Sequence, residues 1–324
     1  MLSRSSVTPF LNTLIKLNFI NLMEHPIKGS YDLEHLNAVH AAMFRNFSEF
    51  GLHPGGLREE VKEGYLFQRD ADVKWHDKSY KITYVHARFN AADRQMLTDE
   101  LAKLKVEEFK KLKTREFAER LADIFIKLLY LFPYRDMTQP TLLAFFRQFA
   151  VECGFDTLFG SKHESNVALF YFTSMKAVNE LALTFLDSES AVIIRRHIQG
   201  VERFMSFRQL FFELCRPFTA VVFNNLTADS AEESEGSISG FQRAFAKNSQ
   251  RAVKAYPEIA PMVQSFMLSV ATTIKSGSSR EAQELTLNKL AHDCIDKLME
   301  GGLDSAKPAS LILRPRRPGN IVQA

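Results

Sequence analysis

Cysteine is scarce in this chain of 324 residues, which has only three, spaced far apart and without a Cys-x-x-Cys pair. Such a set provides no disulfide framework or zinc site and fits a reducing compartment. Long apolar runs are also missing, because no stretch approaches the roughly 20 apolar residues of a membrane helix. The formal net charge is +3, which is small for this length, so a strong electrostatic attraction of nucleic acid is not expected. Walker-type loops, His-Glu-x-x-His and dinucleotide fingerprints are absent as well.

What the chain has in quantity is phenylalanine, with 28 residues, in a composition that is 46% hydrophobic and has modest glycine and proline. This length and apolar content suffice for one large or two ordinary domains with real cores. The composition favours a helix-rich soluble protein.

The most informative segment is residues 132–140, which separates two apolar helical patterns. Upstream, apolar side chains recur at helical spacing from Phe117 to Leu129. Downstream, a second helical pattern begins at Thr141 and stops at Gly154, a residue type typical of helix C-termini. The segment itself reads Phe132-Pro133-Tyr134-Arg135-Asp136-Met137-Thr138-Gln139-Pro140.

This helix–loop–helix frame resembles the core of Fic (Fido) proteins. Their signature between two such helices reads His-Pro-Phe-x-(Asp/Glu)-Gly-Asn-Gly-Arg. Pro133 and Asp136 match it, and Tyr134 is a conservative change. The remaining defined positions depart from it, and they hold Phe132, Met137, Thr138, Gln139 and Pro140.

The departures remove the chemistry that the resemblance would imply. The Fic histidine is a general base, and Phe132 has no acid–base chemistry. The Fic glycines let backbone N–H groups approach phosphates, whereas Met137 and Gln139 bring side chains there. Pro140 deletes an N–H and replaces the phosphate-binding arginine, although proline suits the first turn of a helix. The resemblance assigns Asp136 to Mg²⁺; a helix cap or a solvated loop residue are the other interpretations.

Further elements follow in the Fic order. Residues 30–40 resemble the opening Fic helix, with Asp32 or Ser30 as the N-cap, and Gly55–Arg58 falls at a family turn. The extended segment 84–89 resembles the β-hairpin flap that registers a target peptide. Its candidate site residues are Tyr84, His86 and Arg88. We expect His86 to be exposed and His40, on the opening helix, to be hydrogen-bonded and partly buried.

The domain organisation is predicted from these patterns. Residues 1–28 form an N-terminal segment, 29–225 a degenerate Fic-like domain with a mainly α fold and a small hairpin, and 241–303 a C-terminal helical region. Residues 226–240 are acidic, small and polar, which predicts a linker. Before this linker, helical spacing covers 166–186 and 191–215; after it, helices are predicted at 241–255, 257–275 and 279–299.

The two termini favour different interpretations of location. Residues 304–324 form a basic, proline-containing tail with Arg314, Arg316 and Arg317. Such a tail can bind an acidic surface. Such a tail and the serine-containing start are compatible with a bacterial effector exported without a cleaved signal peptide. They are equally compatible with a cytoplasmic protein whose ends have no partner.

The sequence therefore supports two functional hypotheses. In the first, the chain is a degenerate Fic-like module that binds a protein partner, with or without a nucleotide, and performs no standard AMP transfer. In the second, it is an active Fic-like transferase of altered chemistry that uses ATP and Mg²⁺ or another phosphate-linked donor. This hypothesis is reasonable because one fold can host different reactions. The sequence leaves open whether the chain is an enzyme, and its oligomeric state.

Overall fold

The structure is a computed structural model of the chain. It describes residues 4–45, 47–48, 53–61, 67–157, 164–185, 188–199, 201, 204–234, 237–276 and 279–300. The predicted basic tail with Arg314, Arg316 and Arg317 lies outside the described residues. No helix of these ranges combines the length and apolar character that crossing a membrane requires.

The predicted mainly α fold with a small β-hairpin is confirmed. The first part of the chain contains α1 (Arg4–Glu24), α2 (Leu33–Phe44), β1 (Phe67–Trp75), β2 (Lys78–His86), α3 (Ala91–Leu101), α4 (Val106–Phe109), α5 (Thr114–Leu131), α6 (Thr138–Glu152) and β3 (Phe155–Thr157). It continues with α7 (Glu164–Ala182), α8 (Ser188–Ile198), α9 (Phe207–Leu214) and β4 (Cys215–Pro217). The last part contains α10 (Phe218–Glu232), α11 (Ile238–Ala255), a 3₁₀ turn (Pro257–Ile259), α12 (Ala260–Lys275) and α13 (Arg280–Glu300).

Helix α5 is the centre of the first core. Its residues Phe117, Leu121, Phe125 and Leu128 are fully buried at helical spacing, and the helix packs against α3, α6, α7 and α9. Each such side chain contributes roughly 1.5–3 kcal/mol when removed from water. This burial holds α5 in place within the core. The position of its last turn, and of the loop that leads from it to α6, is therefore fixed as well.

Side-chain caps set the starts of two helices. Asp32 is the N-cap of α2 and accepts a hydrogen bond from the His35 N–H at 2.9 Å, as one of the two predicted caps. Asn90 and Asp93 form a capping box at α3. These caps define where α2 and α3 approach the loop between α5 and α6.

The flap is a two-stranded antiparallel hairpin in which Phe67 pairs with His86 and Trp75 with Lys78. Its turn residues His76 and Asp77 have φ of 46° and 61°, as a two-residue type I′ turn requires. The outer edge of β2 is covered by Asn179 of α7, which bonds the backbone of this strand. The hairpin therefore has one covered edge.

One prediction about the second half of the chain is wrong, and another is refined. The predicted linker is largely helical, because α10 runs to Glu232 with Leu226 and Ser230 buried and its acidic side chains on the outside. The predicted helical spacing over 191–215 corresponds to two helices, α8 and α9. Small polar residues fit an exposed helix face as well as a loop. The composition of residues 226–240 therefore led to the wrong prediction of a linker.

A second hydrophobic core begins at Phe218 and belongs to the C-terminal helices. Its largest buried side chains include Phe223, Phe245 and Phe266. The short strands β3 and β4, which the sequence did not predict, pair just before it. The helices predicted at 241–255, 257–275 and 279–299 are present within a few residues.

Candidate functional site

The loop between α5 and α6 is bounded by two residues in the left-handed region, Phe132 with φ 46° and Met137 with φ 60°. The Thr138 hydroxyl, at the first residue of α6, donates to the Tyr134 carbonyl at 3.0 Å and accepts the Tyr134 N–H at 3.1 Å. Left-handed backbone is costly for side chains other than glycine. The loop therefore holds a tight turn without the glycines of the Fic signature.

Phe132, at the position of the Fic base, packs in an aromatic cluster. Its ring centroid lies 4.3 Å from that of His86 and 5.9 Å from that of Phe67. The Arg69 guanidinium lies 4.9 Å from the same ring, within cation–π range. Only 7% of Phe132 is exposed. No proton-accepting group replaces the base at this position.

Arg58, from the predicted family turn, ties the loop to the flap. Its guanidinium donates to the carbonyls of Leu131 and Phe132 at the end of α5, and to those of Ala87 and Arg88 after β2, at 2.6–3.1 Å. The unpaired carbonyls at a helix C-terminus attract a cation. Burial lowers the pKa of Arg58 to about 10. This single side chain joins the two walls of the site.

Rings from Phe67 and Phe89 enclose the same guanidinium, at 4.7 and 4.8 Å from its carbon. The backbone of Arg58 also takes part, because its N–H donates to the Pro133 carbonyl at 2.9 Å. A buried arginine with carbonyl and aromatic partners acts here as a structural clamp.

Asp136 pairs with Arg69 of the flap. The Arg69 Nη2 lies 3.2 Å from the Asp136 Oδ1, and Nη1 donates to the Arg135 carbonyl. The interpretation of Asp136 as a helix cap is wrong, because Met137 is the N-cap of α6 and has no side-chain bond. Within the described ranges, no group of three or more histidine, cysteine or acidic residues could hold a metal.

Tyr134 connects the loop to α2. Its hydroxyl donates to the Asn37 Oδ1 at 2.8 Å, and its ring stacks on His40 at 3.9 Å. The His40 Nδ1 accepts the Gly55 N–H at 2.8 Å, and burial lowers the pKa of His40 to about 4. The prediction that His40 is hydrogen-bonded is confirmed, and the residue is buried more completely than the predicted partial burial.

His86 is buried, and the expectation that it is exposed is wrong. The face of β2 that carries His86 packs toward α5, and the imidazole Nδ1 donates to the Leu129 carbonyl at 2.9 Å. Burial lowers the pKa of His86 to about 3. A neutral ring with so low a pKa is a weak base near neutral pH.

The other two flap candidates differ in their surroundings. The Tyr84 hydroxyl lies 2.9 Å from the Ser174 Oγ and 3.1 Å from the Tyr171 carbonyl, so it is fully engaged in the core. Arg88 follows β2 and has an exposed side chain. Only Tyr84 and His86 of this predicted set therefore face the site.

A shallow cleft of about 250 Å³ lies between the flap and the start of α6. Most of its walls are apolar or aromatic. The lining residues are Arg69, Asp70, Ala71, Tyr84, His86, Leu129, Phe132, Met137, Thr138, Gln139, Pro140 and Tyr171. Sequence reasoning missed Arg69, Asp70, Ala71, Leu129 and Tyr171, because the first strand of the flap was not located and the two helices carry no site motif.

Comparison with known proteins gives structural similarity alone. No protein-family model matches the chain, and no curated protein matches it. Among solved structures, the chain is similar to BepC, a VirB-translocated effector of Bartonella tribocorum with bound AMPPNP, at 14% identity and TM-score 0.44, covering 67% of this chain and 90% of that one.

Two further similar structures are N-terminal Fic domains of Bartonella effectors. One, from Bartonella quintana with bound ADP, has 15% identity and TM-score 0.45, covering 67% of this chain and 88% of that one. The other, Bep8 from Bartonella sp. 1-1C, has 17% identity and TM-score 0.43, covering 66% and 87%. The likeness is one of general fold, so the chemistry of the site is argued from this chain's own residues.

Proposed function

We propose that this chain is a degenerate Fic-like protein that binds a protein partner at the flap and performs no standard AMP transfer. The observation that carries the proposal is the packing of Phe132 against His86 and under Arg69. A base at this position would need a free imidazole above the cleft. Phe132 has no proton to exchange, and the His86 and Arg69 side chains pack against its ring.

The cleft also fits a nucleotide poorly. Its volume of about 250 Å³ is below the roughly 300–1,000 Å³ of ordinary ligand pockets. Asp136, which would hold Mg²⁺ in the resemblance, is engaged by Arg69. Pro140 contributes no N–H at the start of α6, where a phosphate would be bound. ATP and Mg²⁺ are therefore not part of the preferred function.

A partner can instead pair with the uncovered edge of the hairpin. Within the described residues β1 pairs with β2 alone, and Gln68, Asp70 and Asp72 on it are exposed. An extended peptide commonly binds by adding a strand to such an edge. The cleft lies directly beside this edge, so that a side chain of the added strand can enter it.

The alternative is a transferase of altered chemistry. It is favoured by one observation, that Met137, Gln139 and Phe132 do not fill the cleft completely. Thermal unfolding with a panel of nucleotides and Mg²⁺ examines it directly, because a ligand bound to the folded state raises apparent stability. A rise with one nucleotide that Asp136→Ala removes would support this alternative.

Labelled ATP tests the absence of AMP transfer. We expect the purified full chain, incubated with Mg²⁺, labelled ATP and a cell extract, to leave no label on protein. Label transfer that Asp136→Ala abolishes would contradict the proposal.

Substitution of Asp72 tests the partner-binding edge. Proline removes the backbone N–H that an added strand would use, and Asp72→Ala keeps this N–H while losing the same carboxylate. Peptides selected from a displayed library on the full chain should lose affinity with Asp72→Pro and keep most of it with Asp72→Ala. Equal binding by both variants would show that the edge is not the docking surface.

Export as a bacterial effector is a separate part of the proposal, resting on the sequence of the two termini. Deletion of residues 314–324 should reduce delivery by a conjugation-type secretion system. Unchanged delivery would leave the protein as a cytoplasmic binding module.

A further inference from the structure

The C-terminal helices surround a cavity that lies apart from the flap. Its volume is about 420 Å³, which is within the roughly 300–1,000 Å³ of ordinary ligand pockets. The walls come from α10, α11, α12 and α13. None of the residues that line it belongs to the flap or to the loop between α5 and α6. It is therefore a separate candidate site.

Small side chains on the facing helices α10 and α13 leave this space open. Ala228 and Ala231 line the cavity from α10, and Ala291 lines it from α13. Residues three or four positions apart share one face of a helix, so the two alanines of α10 form one wall. Larger apolar residues at these three positions would occupy the gap. The small residues of segment 226–240, which do not form a linker, thus shape a cavity.

The floor of the cavity is apolar and partly aromatic. Phe266 of α12 and Leu287 of α13 are buried. Phe241 of α11 lies edge-on to Phe266, with the two ring centroids 6.3 Å apart. Ile295 adds apolar surface two turns beyond Leu287. Aromatic side chains pack well against the faces and edges of other rings, so this floor suits a ligand that contains a ring.

Polar groups on both walls are available to such a ligand. The backbone carbonyls of Asn224 and Asn288 are engaged by Thr227 and His292. The side-chain amides of the same two asparagines line the cavity and have no hydrogen-bond partner among the described residues. An amide can both donate and accept. One such group on each wall can therefore bind a hydroxyl or an amide of the ligand.

The lining offers no counter-charge to an ion. Among the described residues that line the cavity there is no lysine or arginine, and the carboxylate of Glu284 accepts from the Arg280 Nε at 2.8 Å. Arg243 and Lys247 belong to an adjoining hollow. A charge on the apolar floor would lose its water without gaining a partner, which is strongly unfavourable.

We infer that this cavity binds a neutral small molecule with a ring body and a hydroxyl or amide group. The ring packs on Phe241 and Phe266, and the polar group binds the amide of Asn224 or Asn288. A helix of a partner does not enter a cavity of this size, because with its side chains it is about 10–12 Å across.

Two fluorescent probes with the same rings test the preference for a neutral ligand. Phenylnaphthylamine is neutral, and anilinonaphthalene sulfonate adds one negative charge to the same skeleton. Fluorescence titration of the full chain gives each Kd. We expect the neutral probe to bind about tenfold more tightly, because the sulfonate has no cation on the floor. Tighter binding of the sulfonate that Arg243→Gln removes would overturn this preference.

Filling the cavity locates the bound probe. Ala291→Phe places a ring in the gap and should weaken binding of phenylnaphthylamine at least about tenfold, since two groups cannot occupy one space. Ala231→Phe repeats the test from the opposite wall. Ala282→Phe is the matched control, because Ala282 is exposed on the opposite face of α13 and the change should leave binding as it is. Circular dichroism verifies that each variant folds. Equal binding by all three folded variants would show that the probe binds elsewhere.

Competition with the neutral probe tests the polar group. Naphthol should displace phenylnaphthylamine about fivefold more effectively than naphthalene does, as expected for one added hydrogen bond. Replacing Asn224 and Asn288 together by leucine should abolish this difference. Equal displacement by both competitors would exclude the hydrogen bond. Probe binding that weakens as the chain is concentrated would show that a second copy covers the cavity, and would overturn the inference.

Discussion

At the scale of single residues, Arg58 decides the geometry of the site. Its guanidinium reaches the end of α5 and the chain after β2 at once, so one side chain fixes the distance between loop and flap. The sequence placed Arg58 at a family turn but could not name its partners. These partners are backbone carbonyl groups. Every residue has one, so the sequence does not show which of them Arg58 would bind.

Removing this clamp should destabilise the protein strongly. Arg58→Ala leaves the Ala87, Leu131 and Phe132 carbonyls without their donors, and we expect a loss of about 3 kcal/mol or more in the free energy of unfolding. Urea unfolding measures it. Arg58→Lys keeps the charge but not the fork of donors, and should recover only part of the loss. A loss below about 1 kcal/mol for Arg58→Ala would contradict the clamp.

Acid should destabilise the protein through its buried histidines. Burial lowers the pKa of His86 to about 3 and that of His40 to about 4, below the value of about 6.5 in an unfolded chain. The unfolded chain therefore binds more protons in between. Stability from these rings is present above pH ~6.5 and is lost as the pH falls, by up to about 1.4 kcal/mol per pH unit for each ring.

Urea unfolding from pH 7 to pH 5 measures this slope. His86→Phe removes one of the titrating rings, and its stability should depend less steeply on pH than that of the unchanged protein. Parallel curves for the two proteins would exclude His86 as a source of the acid sensitivity.

The sequence predicted part of the candidate site. The position of the loop and the burial of His40 followed from helical patterns and a motif. Arg69 was missed because β1 alternates polar residues on its exposed face and gives a weak apolar signal. The burial of His86 was missed because a lone extended segment does not reveal which side faces a helix.

At the scale of elements, the hairpin depends on α7 to cover one of its edges. Asn179 is fully buried and bonds both the N–H of Val85 and the carbonyl of Thr83. Helices with strong apolar spacing were predicted well, whereas the linker and the short pair β3–β4 were not. The helical structure of the predicted linker and the pairing of β3 with β4 depend on tertiary contacts, which cannot be predicted from local composition.

Truncation of Asn179 should loosen the flap. Asn179→Ala leaves the buried Val85 N–H without an acceptor, at a cost of about 1–3 kcal/mol. We expect faster hydrogen exchange at the Val85 amide. Asn179→Asp keeps an acceptor for this N–H and should protect the amide better than alanine does. Unchanged exchange in Asn179→Ala would show that the edge is held by other contacts.

At the scale of the whole molecule, the described residues form two hydrophobic cores that meet where β4 leads into α10. Cys215 belongs to the first core and Phe218 to the second. The single tryptophan, Trp75, packs on Phe172 and Phe204 at the tip of the hairpin, in the first part. Its fluorescence therefore reports one core, while circular dichroism reports the helices of both.

This division predicts uncoupled effects of a core mutation. Phe266 is 1% exposed in the second core, and Phe266→Ala should cost about 3–5 kcal/mol there. The urea midpoint followed by circular dichroism should fall more than the midpoint followed by Trp75 fluorescence. Phe125→Ala, in the first core, serves as the matched variant and should lower the fluorescence midpoint. Equal shifts by both probes in Phe266→Ala would indicate one cooperative unit.

The acidic pair on β1 has a consequence for self-association. Two copies of the chain could join their bare edges around a twofold axis centred on Ala71, and each Asp70 would then face an Asp72 across the seam. Like charges directly opposite one another oppose such a dimer. The two carboxylates therefore oppose pairing of β1 with β1 of a second copy, and we expect no dimer to form through this edge.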